Sequence, residues 1–320
     1  MAGNRAGSWT VVLFLAIPCA ILPQGPLTPR AAHPRPSPEA PPGTIRVEAS
    51  LVLIPVHVVT SGGASVTDLP KESFHLLDED SEQSISYFAK EDAPVSIGVL
   101  LDTSASMQHK MRRSSEAAAS VLQSANPADE FFLVEFNERP KLTVPFTTDA
   151  DQLYRRFLHA GPFGRTSLLD AIHLASVQMK NARNARKALL IVSDGGDNHS
   201  RLSRSQVRSE VLESDLQMYA IGIFDGDARK RSPEEVNGPG LLEDLAGETG
   251  GKHYRVDNLD ELASVASHIS IDMRNEYLLG FTPAGAPSDG KYHRVKVTVN
   301  PTSGTKLNVF YRRGYYAPAQ

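Results

Sequence analysis

The chain has 320 residues, 41% of them hydrophobic, and its 33 basic and 37 acidic residues give a formal net charge of −4. This near-balance provides no electrostatic reason to expect nucleic-acid binding. The single cysteine, Cys19, lies in an N-terminal apolar stretch, which excludes disulfides, zinc–cysteine sites and a cysteine nucleophile from the rest of the chain. The length favours one large domain accompanied by a smaller one.

The first residues have the features of an export signal. Arg5 supplies a positive charge, and residues 9–17 form an apolar run that is too short for a permanent membrane span. We interpret residues 1–24 as a signal peptide and disfavour lipidation of Cys19, because Pro18 stands where a lipobox needs a small residue. Residues 25–43 are rich in proline and predict an extended linker. We therefore expect an exported protein that is periplasmic, on the cell surface or secreted, without a permanent transmembrane helix.

Two segments of alternating apolar residues flank the centre of the chain. Residues 44–92 predict β strands separated by turns at 61–63 and 78–80, and residues 275–318 repeat the pattern around a turn at 301–304. We expect hairpins in both segments. Together the segments provide about seven strands, a number typical of an immunoglobulin-like sandwich. We therefore predict one such sandwich, split by an inserted domain.

Between these segments, residues 93–274 alternate short apolar strands with helical patterns, as βαβ units require. The strands are predicted at 95–101, 131–136, 188–192 and 218–223, and helices at 111–122, 168–179, 205–214, 242–248 and 259–274. Continuously apolar strands indicate a sheet that is covered on both faces. The predicted fold class is therefore α/β, with a doubly wound and mostly parallel sheet.

Polar residues cluster where two of these strands end. Asp102, Ser104 and Ser106 follow the first strand, Asp194 follows the strand at 188–192, and Thr166 precedes the helix at 168–179. In open α/β sheets, ligands bind outside the carboxyl ends of the strands. Mg²⁺ takes hard oxygen ligands, and three hydroxyls with two carboxylates would leave the ion able to accept an outside carboxylate. A plain helix N-cap explains the first loop alone, but three converging loops favour a metal site.

This pattern, Asp-x-Ser-x-Ser followed by a Thr and then Ser-Asp-Gly, resembles the metal-ion-dependent adhesion site of von Willebrand factor type A (VWA) domains, over about residues 95–271. The flanks are similar to the acidobacterial VWA-related family of exported proteins, over about residues 44–318. The resemblance implies a Rossmann-like VWA fold that binds Mg²⁺, or Mn²⁺ or Ca²⁺, and a protein partner presenting an Asp or Glu carboxylate. It also implies the metal ligands, some acting through water: Asp102, Ser104, Ser106, Thr166 and Asp194.

We therefore predict an exported, adhesion-type binding protein that is not an enzyme. The alternative is a structural or assembly component of the cell envelope, in which the metal mainly stabilises the domain. Enzymatic alternatives are weaker. A haloacid-dehalogenase-like phosphatase needs an acid where Ser104 stands, and a metal-activated hydrolase lacks a candidate general base. The ten histidines show no metal-ligand spacing. The oligomeric state stays open.

Overall fold

The computed structural model describes residues 51–318, apart from residues 92, 124, 225–231, 284–288 and 301–305. The signal peptide and linker expected at 1–24 and 25–43 lie outside these residues. All the described residues belong to one compact unit. None of the helices in the described ranges is both long enough and apolar enough to cross a membrane.

A six-stranded sheet forms the centre of the described chain. Its strands are β5 (Val95–Asp102), β6 (Glu130–Phe136), β7 (Lys141–Thr147), β8 (Arg186–Ser193), β9 (Gln217–Ile223) and β10 (His253–Val256). They lie in the order β10-β9-β8-β5-β6-β7. Neighbouring strands are parallel except for the antiparallel pair β6 and β7. Every residue of β5, β6 and β9 is buried, which explains why their sequences are mostly apolar.

Helices cover both faces of this sheet, as the sequence predicted. Three of them, α1 (Met111–Gln123), α2 (Ala150–Phe157) and α6 (Leu262–Asp272), bury their apolar residues in the core on one face. The other three are α3 (Leu168–Met179), α4 (Arg204–Glu213) and α5 (Pro233–Glu248), which contribute to the core on the opposite face. The doubly wound α/β prediction for the central domain is therefore confirmed.

Helix α5 begins nine residues earlier than the sequence predicted, at Pro233 instead of residue 242. Its first half contains Gly238 and Pro239, whose low helical propensity concealed the helix. The structure offsets this cost at the N-terminus, where Ser232 and Glu235 form a capping box and Pro233 occupies the first turn. The close packing of Gly238 against the backbone of Gly195 also holds this part of the helix in place.

The two flanking segments contain eight strands: β1 (Val52–Thr60), β2 (Phe74–Asp78), β3 (Ser81–Gln83), β4 (Tyr87–Glu91), β11 (Glu276–Phe281), β12 (Tyr292–Val299), β13 (Leu307–Tyr311) and β14 (Gly314–Tyr316). They combine into two antiparallel four-stranded sheets, β13-β1-β11-β4 and β14-β12-β2-β3. Each sheet contains strands from both flanks, and the apolar side chains of both sheets meet in one core. That these sheets form an immunoglobulin-like sandwich remains a prediction.

The hairpin expected across residues 301–304 is wrong, because the flanking strands β12 and β13 lie in different sheets. Residues 61–63 do reverse the chain, since Val59 forms an antiparallel bridge with Ser65, but β1 does not pair with β2, which lies in the other sheet. An alternating pattern determines which face of a strand is buried, but not which strand lies beside it. The turn at 78–80 does join a hairpin, β2 with β3, in which Glu79 and Asp80 have φ angles of +45° and +67°.

Candidate metal centre

The first loop begins at Asp102, the last residue of β5, which is completely buried. Its Oδ1 accepts the backbone N–H of Ser104 at 2.9 Å, and its Oδ2 accepts the hydroxyl of Ser193 at 2.6 Å. The Ser104 and Ser106 hydroxyls lie 3.1 Å apart. Both predicted hydroxyls of this loop therefore lie beside each other, next to a fixed carboxylate.

Asp194 follows β8 and is almost completely buried. Its Oδ1 accepts the N–H of Gly196 at 3.2 Å. Gly195 has a φ angle of +76°, and a Cβ on it would lie 2.7 Å from the backbone of Gly238 in α5. The loop and the helix approach so closely because both positions are glycine. This contact fixes the turn that carries Asp194.

Thr166 lies in the second loop, just before α3. Its backbone N–H donates to Oδ1 of Asn198 at 3.0 Å, and its carbonyl accepts the N–H groups of Asn198 and His199. Asp197 accepts the N–H of Leu168 at 3.0 Å and so caps the first turn of α3 from the loop that follows Asp194. Hydrogen bonds thus tie the Thr166 loop to the loop that follows Asp194.

A cavity of about 210 Å³ lies between the three loops, and Ser106, Thr166 and Asp194 contribute to its wall. Asp102 and Ser104 are not part of that wall, but Ser104 contacts Ser106 directly. The structure therefore brings all five predicted residues to one edge of the central sheet. The other lining residues are Ala105, Gly164, Arg165, Gly196, Asn198, Ser232, Glu234 and Glu235.

The electrostatics of this edge favour an additional cation. The pKa of Asp102 is raised to about 7, mainly by burial and also by the negative charge of Asp194, against the hydrogen bonds from Ser104 and Ser193. Lys110 provides one compensating charge, because its Nζ lies 3.2 Å from Oδ2 of Asp194. Ionising both buried carboxylates is therefore costly with one ammonium group nearby, and a bound cation would lower that cost.

The family model of the von Willebrand factor type A domain matches residues 97–196, a range that contains all five candidate residues. The chain contains a VWA domain. A solved structure, von Willebrand factor type A from Catenulispora acidiphila, matches with a TM-score of 0.50 and 13% identity, over 75% of this chain and 76% of that chain. At this identity the likeness concerns the fold alone. VWA domains are typically binding or interaction modules.

Two curated proteins are similar in sequence to part of this chain. An uncharacterized protein of Borreliella burgdorferi is 25% identical over 145 residues, which is 41% of this chain and 42% of that protein. Inter-alpha-trypsin inhibitor heavy chain H2 of Mesocricetus auratus is 26% identical over 176 residues, or 48% of this chain and 19% of the relative. The chain therefore spans less than half the length of either relative.

The donor set of the VWA domain fits a hard divalent cation. Carboxylate and hydroxyl oxygens are the ligands that Mg²⁺ and Ca²⁺ prefer, and the two buried carboxylates need positive charge. Within the described residues, no group of three or more His, Cys, Asp or Glu side chains is arranged to hold a metal. A metal at this edge would be held by the oxygens of Asp102 and Asp194 together with the hydroxyls of Ser104, Ser106 and Thr166.

Sequence reasoning missed three residues of this site: Lys110, Ser193 and Asn198. Ser193 directly precedes Asp194, so its position beside the other loop follows from pairing of β5 with β8. Asn198 and Lys110 gave no local signal, because their contacts with Thr166 and Asp194 span 32 and 84 residues of chain. Both contacts depend on the order of strands in the sheet.

Proposed function

We propose that the protein is an exported, adhesion-type binding protein, not an enzyme, whose VWA domain captures an acidic group of a protein partner through a bound Mg²⁺, Mn²⁺ or Ca²⁺ ion. Asp102, Ser104, Ser106, Thr166 and Asp194 would hold the ion. The bound ion supplies positive charge and an open coordination position for an outside carboxylate. The observation that carries the proposal is the placement of two buried carboxyl groups and three hydroxyls at one edge of the sheet, with a single ammonium group beside them.

Apart from the proposed ligands, the carboxylates of the cavity wall do not suit hydrolysis. A general base should have a pKa near the working pH and a free carboxylate. The carboxylate of Glu235 accepts the backbone N–H of Ser232 in the capping box of α5. Hydrogen bonds with its own backbone N–H and with Ser232 lower the pKa of Glu234, which makes it a weaker base. Neither of these wall carboxylates suits the activation of water.

The surroundings of the cavity suit a protein partner. Phe163 and Val236 are 62% and 60% exposed, and each is the chain neighbour of a wall residue, Gly164 and Glu235 respectively. Exposed apolar side chains beside a polar site contribute buried area when a protein partner covers them. Arg165 lines the cavity and is exposed, so it adds a second positive group for an acidic partner. We infer a partner surface in which an acidic residue is flanked by apolar ones.

Export is proposed from the N-terminal sequence. The charged start, the short apolar run at residues 9–17 and the proline-rich residues 25–43 are typical of a signal peptide and a tether. The proposed location is the periplasm, the cell surface or the medium.

Calorimetric titration of the mature protein with Mg²⁺ tests the site. We expect saturable binding in the wild type and none in Asp102→Ala, with the same circular dichroism spectrum, because the apolar strands provide most of the buried area. Asp151→Asn, at an exposed carboxylate in the first turn of α2, is the matched control and should bind as the wild type does. Unchanged Mg²⁺ affinity in Asp102→Ala would reject the assignment.

Partner capture separates the proposal from its alternative. Immobilised wild type and Asp102→Ala are exposed to the native envelope fraction, in Mg²⁺ or in chelator. A partner retained only by the wild type in Mg²⁺ supports recognition, and a competing acidic peptide should release it. If Mg²⁺ raises the melting temperature but retains no partner, the protein is a structural or assembly component whose metal stabilises the domain.

A further inference from the structure

A second cavity, of about 390 Å³, lies where the flanking sheets meet the VWA domain. Its wall includes Ala93 and Pro94, where the chain enters the VWA domain, and Glu276, where it returns to β11. Arg186 and Lys187, at the start of β8, also line it, so the length of this strand separates the cavity from Asp194. The volume falls within the range of about 300–1,000 Å³ that is usual for small-molecule sites.

One part of the wall is apolar. Leu53 and Pro55 of β1 and Leu278 of β11 contribute side chains to it, and all three are at least partly exposed. These residues are neighbours in one sheet, because Pro55 pairs with Leu278 in the β1–β11 ladder. Such a surface gains free energy when a ligand covers it. An apolar wall alone does not select among ligands, so the charged wall decides the chemistry.

The charged wall has more positive than negative groups. The Arg186 guanidinium donates to the Glu276 carboxylate at 2.6 Å, and Arg312 pairs with Asp215. Within each of these two ion pairs, the positive and negative charges neutralise each other. Lys187 is half-buried in the same wall, and no carboxylate within the described residues forms an ion pair with it. The wall therefore offers an unneutralised ammonium group beside an apolar surface.

Arg312 adds an unused donor. The residue is 8% exposed, and its guanidinium contacts Asp215 and donates to the carbonyl of Leu212 at 3.3 Å. Its Nε is buried and has no hydrogen-bond partner among the described residues. A buried donor without an acceptor is costly, and the positive charge of the guanidinium, which lines the cavity, attracts an anion to this wall. Burial lowers the pKa of Arg312, and an anion nearby would offset that cost.

We propose that this cavity binds a small amphipathic carboxylate, with its apolar body against Leu53, Pro55 and Leu278 and its carboxylate toward Lys187 and Arg312. The chemistry is shared by medium-chain fatty acids and by aryl-alkanoic acids. A ligand here contacts both places where the chain passes between the flanking sheets and the VWA domain, at Ala93–Pro94 and at Glu276. Binding therefore stabilises the folded chain as a whole. The proposal is independent of the metal centre.

The test titrates the mature protein with decanoate, with 4-phenylbutyrate and with decanol, which has the chain of decanoate without its charge. We expect saturable binding of at least one carboxylate, with a rise in melting temperature, and binding of decanol that is weaker by about tenfold or more. The stronger of the two carboxylates distinguishes an alkyl from an aryl ligand. Asp102→Ala should bind decanoate as the wild type does.

Three variants locate the site. Lys187→Met should weaken carboxylate binding about tenfold, whereas Lys187→Arg should retain it. Ala185→Trp, at an exposed wall residue, should block the cavity without disturbing the core. Lys180→Met, at an exposed lysine outside the wall, is the control and should change nothing. The proposal is overturned if neither carboxylate saturates, if decanol binds equally well, or if Lys187→Met and Ala185→Trp both bind as the wild type.

Discussion

Nζ of Lys110 lies 3.2 Å from Oδ2 of Asp194, so the candidate metal centre contains a cation that belongs to the chain itself. Only 12% of the Lys110 side chain and 1% of the Asp194 side chain are exposed. Water therefore screens this ion pair weakly. A divalent ion at Asp194 must share the carboxylate with Lys110 or displace the ammonium group from it.

The first prediction concerns this competition. Lys110→Met should lower the melting temperature of the metal-free protein, because Asp194 is left as an unpaired buried charge. Mg²⁺ should bind the variant about fivefold more tightly, since a competing contact of about 1 kcal/mol is removed. Differential scanning calorimetry and Mg²⁺ titration measure both effects. Arg112→Met, at an exposed residue of α1, is the control, and weaker Mg²⁺ binding in Lys110→Met would contradict the competition.

The second prediction separates Thr166 from Asp102. In VWA adhesion sites, which this sequence resembles, the corresponding hydroxyl tends to join the metal directly when ligand is engaged. Thr166→Ala should therefore retain most of the Mg²⁺ affinity, because both carboxylates remain, yet bind its partner poorly. Parallel titrations with metal and with a metal-dependent partner measure the two losses. Equal losses in Thr166→Ala and Asp102→Ala on both measurements would show that Thr166 has no separate role.

The third prediction concerns His57 of β1, which is buried against the VWA domain. Its Nε2 lies 3.0 Å from the Ser65 hydroxyl and 3.3 Å from Oδ1 of Asp272 in α6. Burial lowers the pKa of His57 below 6.5, although the charges of Asp272 and Glu276 oppose the shift and Lys252 adds to it. The unfolded chain therefore binds a proton more readily than the folded one, and stability should fall as the pH drops through 6.5.

Chemical denaturation between pH 5 and pH 8 measures this dependence. His57→Gln has no titrating group at this position, so its stability should change less with pH over that window, whatever its absolute value. His173→Gln removes an exposed histidine paired with Glu210 and should keep the slope of the wild type. Identical slopes for His57→Gln and the wild type would remove His57 as the cause.

The fourth prediction follows from strand pairing in the flanks. Strand β1 pairs with β11 and β13, β4 pairs with β11, and β2 pairs with β12, so four of the ladders of the N-terminal strands require the C-terminal flank. Fragments 44–92 and 274–320 should each be unfolded alone, because a single hairpin such as β2–β3 is marginally stable in water. Circular dichroism and amide NMR dispersion measure this, with residues 44–320 as the folded control. Cooperative unfolding of the isolated 44–92 fragment would disprove the dependence.

The amino-acid sequence by itself determined the central α/β architecture and the positions of the candidate ligands. Strands β5 and β8 are continuously apolar because both faces of the sheet are covered, and the polar residues after them begin where that burial ends. Helix α3 was predicted at residues 168–179, where the structure has it, because its apolar face repeats with the helical period. These features depend on residues close together in the chain.

Tertiary structure decided the remainder. The partners of β1 and β12, the start of α5, the pair of Lys110 with Asp194 and the cavity beside Lys187 all join residues far apart in sequence. An alternating strand pattern gives one buried face and leaves several neighbours equally acceptable. A buried charge acquires its partner only when the order of strands is fixed. Contacts over such separations depend on the whole packed arrangement, and no local pattern in the chain specifies them.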